Sequence, residues 1–202
     1  EGSFGTASNV TSWDPLCTRP NSSGDVNGAV IEGEPFGTYY WSGPGRRVIE
    51  NLEGDDSRII MDRVIPFIEK AVSDRLPFLS IVWFHAPHLP VLTGEKYKSL
   101  YSGLSEDEQE YYGVITALDE QVGRLRNKLK SLNIYENTLV FYASDNGPET
   151  QKEVREGKSP FGRTRGVTNG LRGRKRSLHE GGIRVPGIVE WPRKIKSGTV
   201  ID

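Results

Sequence analysis

The chain has 202 residues, of which 35% are hydrophobic, with 23 Gly and 12 Pro. That length fits one domain or a large piece of one, enough to bury a core wrapped in long ordered loops. A formal charge of −1 argues against a chain-wide polyanion binder, and a single cysteine, Cys17, excludes an internal disulfide framework. The charge is uneven, since residues 151–196 carry about half of the 26 Lys and Arg and few acids, which predicts a local basic field. No apolar run approaches the roughly 20 residues of a membrane helix. No signal peptide is visible, and because Glu1 rather than Met opens the chain, a natural start further upstream is expected.

Residues 1–54 are rich in Gly, Ser, Asn and Pro and contain the aromatic island Tyr39-Tyr40-Trp41, so they read as loops and short strands. Asn9-Val10-Thr11 and Asn21-Ser22-Ser23 fit the glycosylation triplet, a pattern common by chance. Ser57 is the expected cap of a helix running to about Asp74. Its apolar face is Ile59, Ile60, Val64, Phe67, Ile68, Ala71 and Val72. Pro66 is expected to kink or divide that helix. Phe78-Leu79-Ser80-Ile81-Val82-Trp83-Phe84 suits a strand buried on both faces, and it runs into His85-Ala86-Pro87-His88-Leu89-Pro90.

Ser105 with Glu108 forms a capping box. Behind it, Tyr111, Ile115, Leu118, Val122, Leu125, Leu129 and Leu132 predict a long helix, with Glu120 and Arg124 as a four-apart pair. A turn at Asn133–Asn137 leads to a strand over Thr138–Ser144. Strand, helix and strand predict a βαβ crossover, hence an α/β fold with a parallel sheet covered on both sides. Residues 145–173 form a polar, Gly-rich loop of a length that is usually functional, and Arg184–Trp191 reads as another short strand. There is no internal repeat.

Ligands of parallel sheets bind outside the carboxyl ends of the strands. Two predicted strands end in polar clusters there, His85 to His88 and Asp145-Asn146, whose tips are expected to share a crevice. Asp-Asn-Gly is also a common turn, but at a strand end its adjacent oxygens suit a hard cation such as calcium or magnesium. His85 and His88 either cap loops or serve as an anion binder or proton donor, since zinc would want more nitrogen or sulfur than His179 and Cys17 add. The run Arg172-Gly173-Arg174-Lys175-Arg176 is a solvated face, a nucleic-acid or heparin patch, or one lysine aimed at an oxyanion. It lacks interleaved aromatics and runs into Glu180-Gly181-Gly182, a poor continuation for a recognition helix.

The stretches "FHAPHLP", "ASDNGPE" and "GRKRSLHEGGIRVPGIVEWP", in that order and preceded by "GDDSRIIMDRVIPFIEKAV", resemble the type I sulfatase family of the arylsulfatase A-like kind. The resemblance covers nearly the whole chain. It implies an alkaline phosphatase-like fold, a large mixed sheet with helices on both faces, here incomplete at both ends. It also implies hydrolysis of sulfate esters with one calcium (magnesium being possible) and a formylglycine made from cysteine or serine. By position, Asp145 and Asn146 match two calcium ligands. His88 and Lys175 match the residues that contact the substrate sulfate, and Arg184 matches a recurrent arginine without an assigned catalytic role. The chain departs from the family in lacking Cys-x-Pro-x-Arg, because Cys17-Thr18-Arg19-Pro20 puts Arg and Pro in other places. The family's metal-binding aspartate pair has no counterpart, since Asp55-Asp56 precedes a helix and reads as an N-terminal charge pair.

Residues 1–202 are therefore expected to be the central to C-terminal part of a sulfatase catalytic domain. The nucleophile region and the C-terminal subdomain would lie elsewhere, and the segment alone would be inactive. Sulfated sugars or aryl sulfates are the expected substrates, with no nucleic-acid or membrane partner, and an exported or lysosomal location follows from the resemblance. Two alternatives stay open. One is a phosphodiesterase or phosphatase of the same superfamily, which Asn146 disfavours because histidine at that place would bind a second metal. The other is a non-catalytic anionic-glycan-binding domain.

Overall fold

The computed structural model describes residues 3–6, 12–15, 39–89, 91–149 and 165–201. Cys17, both glycosylation triplets, Pro90 and residues 150–164 of the long loop lie outside the described residues. The chain divides into two compact units, one comprising residues 1–122 and 151–165, the other residues 123–150 and 166–202.

In the first unit, β1 (Gly5–Thr6) pairs antiparallel with β2 (Tyr40–Trp41), and α1 (Asp56–Ser73) follows. The cap of α1 is Asp55 rather than Ser57: the Asp55 side chain accepts from the Arg58 N–H at 2.8 Å. A carboxylate there also meets the positive end of the helix dipole, which a serine hydroxyl cannot match. The buried stripe is Ile59, Ile60, Met61, Ile65, Ile68 and Ala71, while Phe67 faces water. Pro66 leaves the helix undivided. It lies on the exposed side, where the helix backbone beside the missing N–H can be hydrated. Ile59 packs with Tyr40 and Leu52 in one apolar cluster.

Phe78–Phe84 forms no strand and belongs to no ladder among the described residues. The expected double burial is absent: Trp83 is 83% exposed, and Leu79 and Ile81 also face outward. The segment after it is anchored. Ala86 and Val91 pack with Val114 and Leu118 of α3 (Glu106–Ser131), and Phe84, Leu89 and Tyr111 pack against that cluster. A one-turn helix, α2 (Glu95–Lys98), lies between. Half of the capping box of α3 forms: Glu108 Oε2 accepts from Ser105 N at 3.1 Å, while Ser105 Oγ donates to the same oxygen at 2.6 Å. The buried stripe of α3 includes Val114, Ala117, Leu118, Gln121 and Leu129, whereas Ile115 is exposed.

The second unit holds β3 (Val140–Ala143), α4 (Glu180–Ile183) and β4 (Gly187–Glu190). β3 pairs antiparallel with β4, from Val140 opposite Glu190 to Ala143 opposite Gly187. The parallel βαβ pairing is thus not formed among the described residues, because Phe78–Phe84 finds no strand there and β3 finds a later antiparallel one. β3 is not buried either, and Phe141 is 68% exposed. The pair is braced at Glu190, whose Oε2 accepts from Arg126 Nε at 2.8 Å and Oε1 from Arg126 Nη2 at 2.6 Å, with the Tyr135 hydroxyl also donating to Oε1. The Arg126 hydrogen bonds hold the Glu190 carboxyl below its ordinary pKa.

Candidate functional site

The ladder ends at Ala143, and the next residues turn away as Ser144-Asp145-Asn146-Gly147. Asp145 Oδ1 accepts from Asn146 N–H at 2.9 Å, Asn146 Nδ2 donates to Gly147 O at 2.9 Å, and Ser144 Oγ donates to Asn146 O at 2.9 Å. Side chain to backbone bonds of this kind fix a turn locally. They leave Asp145 Oδ2 and the carboxamide oxygen Asn146 Oδ1 without a hydrogen-bond partner among the described residues. One anionic and one neutral oxygen, side by side, form a donor set that a hard divalent cation accepts. They are a minority of the six to eight oxygens calcium takes, and among the described residues no three His, Cys, Asp or Glu gather into a metal cluster.

Gly147 joins this turn to the Glu180-Gly181-Gly182 stretch. Its N–H donates to Gly182 O at 2.8 Å, and a Cβ at Gly147 would overlap the Gly181 carbonyl oxygen. A Cβ at Gly181 would overlap the Gly173 carbonyl, and one at Gly182 the Ser177 carbonyl. Gly181 N–H donates to Arg172 O at 2.8 Å, and Gly173 has φ +85°, the left-handed conformation glycine favours. Backbones therefore touch where any side chain would separate them. The same contact brings in Lys175, whose N–H donates to Pro148 O at 3.0 Å.

Three consecutive cations of the Arg-Lys run, Arg174, Lys175 and Arg176, do different jobs. Arg174 donates to Glu149 O at 2.9 Å and to Gly166 O. Arg176 pairs with the Glu149 carboxylate at 2.5 Å. Lys175, half-buried between them, makes no side-chain hydrogen bond or ion pair among the described residues. The run is therefore not a uniform solvated face. Two arginines brace the loop, and one lysine keeps its charge available.

His85 and His88 belong to the first unit. His88 N donates to His85 O at 2.7 Å, which closes the turn. The His88 ring is half-buried, and its Nδ1 lies 2.7 Å from Leu89 O. A carbonyl can only accept, so Nδ1 carries a proton and Nε2 is the nitrogen left for a ligand. His85 has both ring nitrogens engaged, Nδ1 with Asp56 and Nε2 with Thr6. Of the predicted site residues, Asp145, Asn146 and Lys175 are thus brought together in the second unit, and His88 is displayed in the first. The Asp56 contact was missed because the Asp55-Asp56 pair reads as a helix-end charge and its partner lies 29 residues away. A cavity of about 330 Å³ in the first unit, lined by Phe4, Thr6, Trp41 and neighbours, contains none of the predicted site residues.

The sulfatase family model matches residues 18–201. Arylsulfatase H of Canis lupus familiaris is 33% identical over 146 residues, covering 71% of this chain and 24% of the relative. An N-acetylgalactosamine-6-O-sulfatase of Bacteroides thetaiotaomicron is 31% identical over 185 residues, covering 91% of this chain and 34% of the relative. The chain thus spans about a quarter to a third of these curated relatives. Among solved structures, Ps i-CgsB in complex with k-i-k-neocarrahexaose superposes with a TM-score of 0.74 at 24% identity, over 98% of this chain and 41% of that one. PsFucS1 sulfatase from Pseudoalteromonas sp. gives 0.64 at 27% identity, over 82% of this chain and 31% of that one. The fold is that of these proteins, the alkaline phosphatase-like architecture in part, and the chain belongs to the type I sulfatase family.

Proposed function

We propose that this chain is the metal-tip and sulfate-contact portion of a sulfuric ester hydrolase, working within a longer protein on sulfated sugars. The observation that carries this reading is Lys175, a half-buried cation without a partner among the described residues, tied by its backbone to the loop of Asp145 and Asn146. A solved relative held with neocarrahexaose and a relative named for N-acetylgalactosamine 6-O-sulfate chemistry favour a carbohydrate ester over a simple aryl sulfate. Asp145 Oδ2 and Asn146 Oδ1 would hold calcium together with ligands from elsewhere. Bound there, the cation would polarise a sulfate oxygen and make sulfur more electrophilic. Lys175 would contribute a fixed positive charge to sulfate oxygens in the second unit. In the first unit, His88 would offer Nε2 to a sulfate ester, carrying a second proton when it donates. The nucleophile, a formylglycine in this family, would come from another part of the longer protein. An exported or lysosomal compartment completes the reading.

The test is sulfate release, followed by ion chromatography, from a sulfated oligosaccharide and from 4-nitrophenyl sulfate by the intact gene product with calcium. Lys175→Ala should lower kcat/KM by about 10²-fold or more, the scale for losing one preorganised charge contact. Cleavage of phosphate diesters with two metals per chain would replace this reading with the phosphodiesterase one. Calcium-independent heparin binding with no ester cleavage would replace it with a glycan-binding domain.

A further inference from the structure

The polar cluster behind His85 lies in the first unit. Asp56, the first residue of α1, is fully buried at 0% exposure. Its N–H donates to Ser12 O at 3.1 Å. Its Oδ1 accepts from the Tyr40 hydroxyl, and its Oδ2 lies 2.9 Å from His85 Nδ1. A carboxylate taken out of water needs such partners, and the first turn of an 18-residue helix adds its dipole. With both carboxyl oxygens accepting, His85 carries its proton on Nδ1. Nε2 then faces Thr6 Oγ1 at 2.9 Å and, in the neutral ring, accepts from that hydroxyl.

His85 is in turn the first residue of the turn that presents His88. Its carbonyl accepts from the His88 N–H at 2.7 Å, and the next residue, Ala86, is sunk into the cluster with Val91, Val114 and Leu118. The turn is thus held by the His85 ring against α1 and by Ala86 against α3. Stability alone is a weak reason for a buried hydrogen-bonded carboxylate, because apolar residues of the same volume often serve a core as well. An orienting partner behind a functional histidine is a better reason, since such partners fix tautomer and ring orientation.

We propose that Asp56 is a positioning residue: its buried carboxylate locks His85 as the Nδ1–H tautomer and thereby holds the 85–88 turn so that His88 offers Nε2 to the substrate sulfate. This rests on the sulfatase reading of His88. Two measurements on the intact protein test it, a ¹⁵N–¹H correlation of the imidazoles and steady-state sulfate release. Wild-type His85 is expected as the Nδ1–H tautomer. Asp56→Asn should mix its tautomers and lower kcat/KM by about 10- to 100-fold, the range for losing an orienting partner, with thermal unfolding showing that the variant is folded. Thr6→Val should leave the His85 tautomer unchanged. Should Asp56→Asn fail to fold, the wild-type spectrum still decides, because an Nε2–H tautomer for His85 overturns the proposal without any variant. Wild-type activity that Asp56→Asn does not lower overturns this inference alone. A wild type that releases no sulfate overturns the proposed function and this inference with it.

Discussion

Asp55 and Asp56 are neighbours at the head of α1, yet they act through different contacts. Asp56 reaches inward to Tyr40 and His85, while Asp55 caps the helix through the Arg58 N–H. Burial pushes the Asp55 pKa from 3.8 up to about 6, against the lowering effect of the Arg58 N–H bond. The folded chain therefore holds this proton more tightly than the unfolded chain. The resulting stability is present in full below the unfolded value and is lost as pH rises through the folded one. The change amounts to about 3 kcal/mol as an order of magnitude. Asn is an equally good cap and does not titrate. In urea unfolding at about pH 4 and about pH 7, the wild type should lose stability relative to Asp55→Asn by an amount of this order. Parallel behaviour of the two proteins would show that Asp55 is not a strained carboxylate. The two acids were visible in the sequence as a helix-end pair. Their division of labour was not, because it depends on which one the neighbouring backbone turns inward.

At the scale of elements, the packing of glycines decides whether the Asp145-Asn146 turn and the lysine loop meet. A Cβ at Gly181 would overlap the Gly173 carbonyl, and backbone cannot move aside as a flexible side chain can. Gly181→Ala should destabilise the second unit by about 1–3 kcal/mol, the usual range for overpacking, and should weaken calcium affinity by misplacing Asp145. Calorimetric titration with calcium checks this, and unchanged affinity in a folded variant would separate the glycine contact from the site. Pro66 predicts the opposite sign. It occupies the solvent side of α1, so Pro66→Ala restores an N–H to the helix interior and should raise stability by about 1–3 kcal/mol, within the propensity difference between the two residues. A thermal midpoint that falls instead would mean that proline's restriction of the unfolded chain outweighs the missing bond. Both long helices were legible because period and capping are local signals, as Ser105 with Glu108 shows. The strands were legible as apolar runs but not in their partners. Phe78–Phe84 and Val140–Ala143 state how much surface needs cover, and nothing in such a run names what covers it. Asp145 and Asn146 were readable as adjacent oxygens at a strand end, Lys175 was singled out within its run only by the family pattern, and the glycine contact that unites them is invisible to periodicity.

For the whole molecule, the unsettled surface is apolar. Leu79, Ile81 and Trp83, at alternate positions of one segment in the first unit, are all exposed. In the second unit Phe141 and Ile188 are exposed on a sheet of only two strands. Open ladder edges and contiguous apolar patches template association, and a formal charge of −1 supplies little repulsion to oppose it. The relatives carry much more chain, since this one spans 24% of the dog arylsulfatase H and 34% of the Bacteroides enzyme, so strands from such additional length would have these faces to cover. The 202-residue chain made alone should therefore bind a hydrophobic dye and self-associate in a concentration-dependent way by sedimentation velocity. Pairing Ile81→Lys with Trp83→Lys places two charges on the exposed segment and should lower both signals without unfolding α1 or α3, whose buried stripes lie elsewhere. In the longer protein the same double variant should have the reverse effect, destabilising a buried sheet by about 3 kcal/mol or more, as uncompensated buried charge does. A short chain that stays monomeric and dye-free, or a longer protein indifferent to the two lysines, would show that this segment is a true exterior and that the sheet ends where the described strands end.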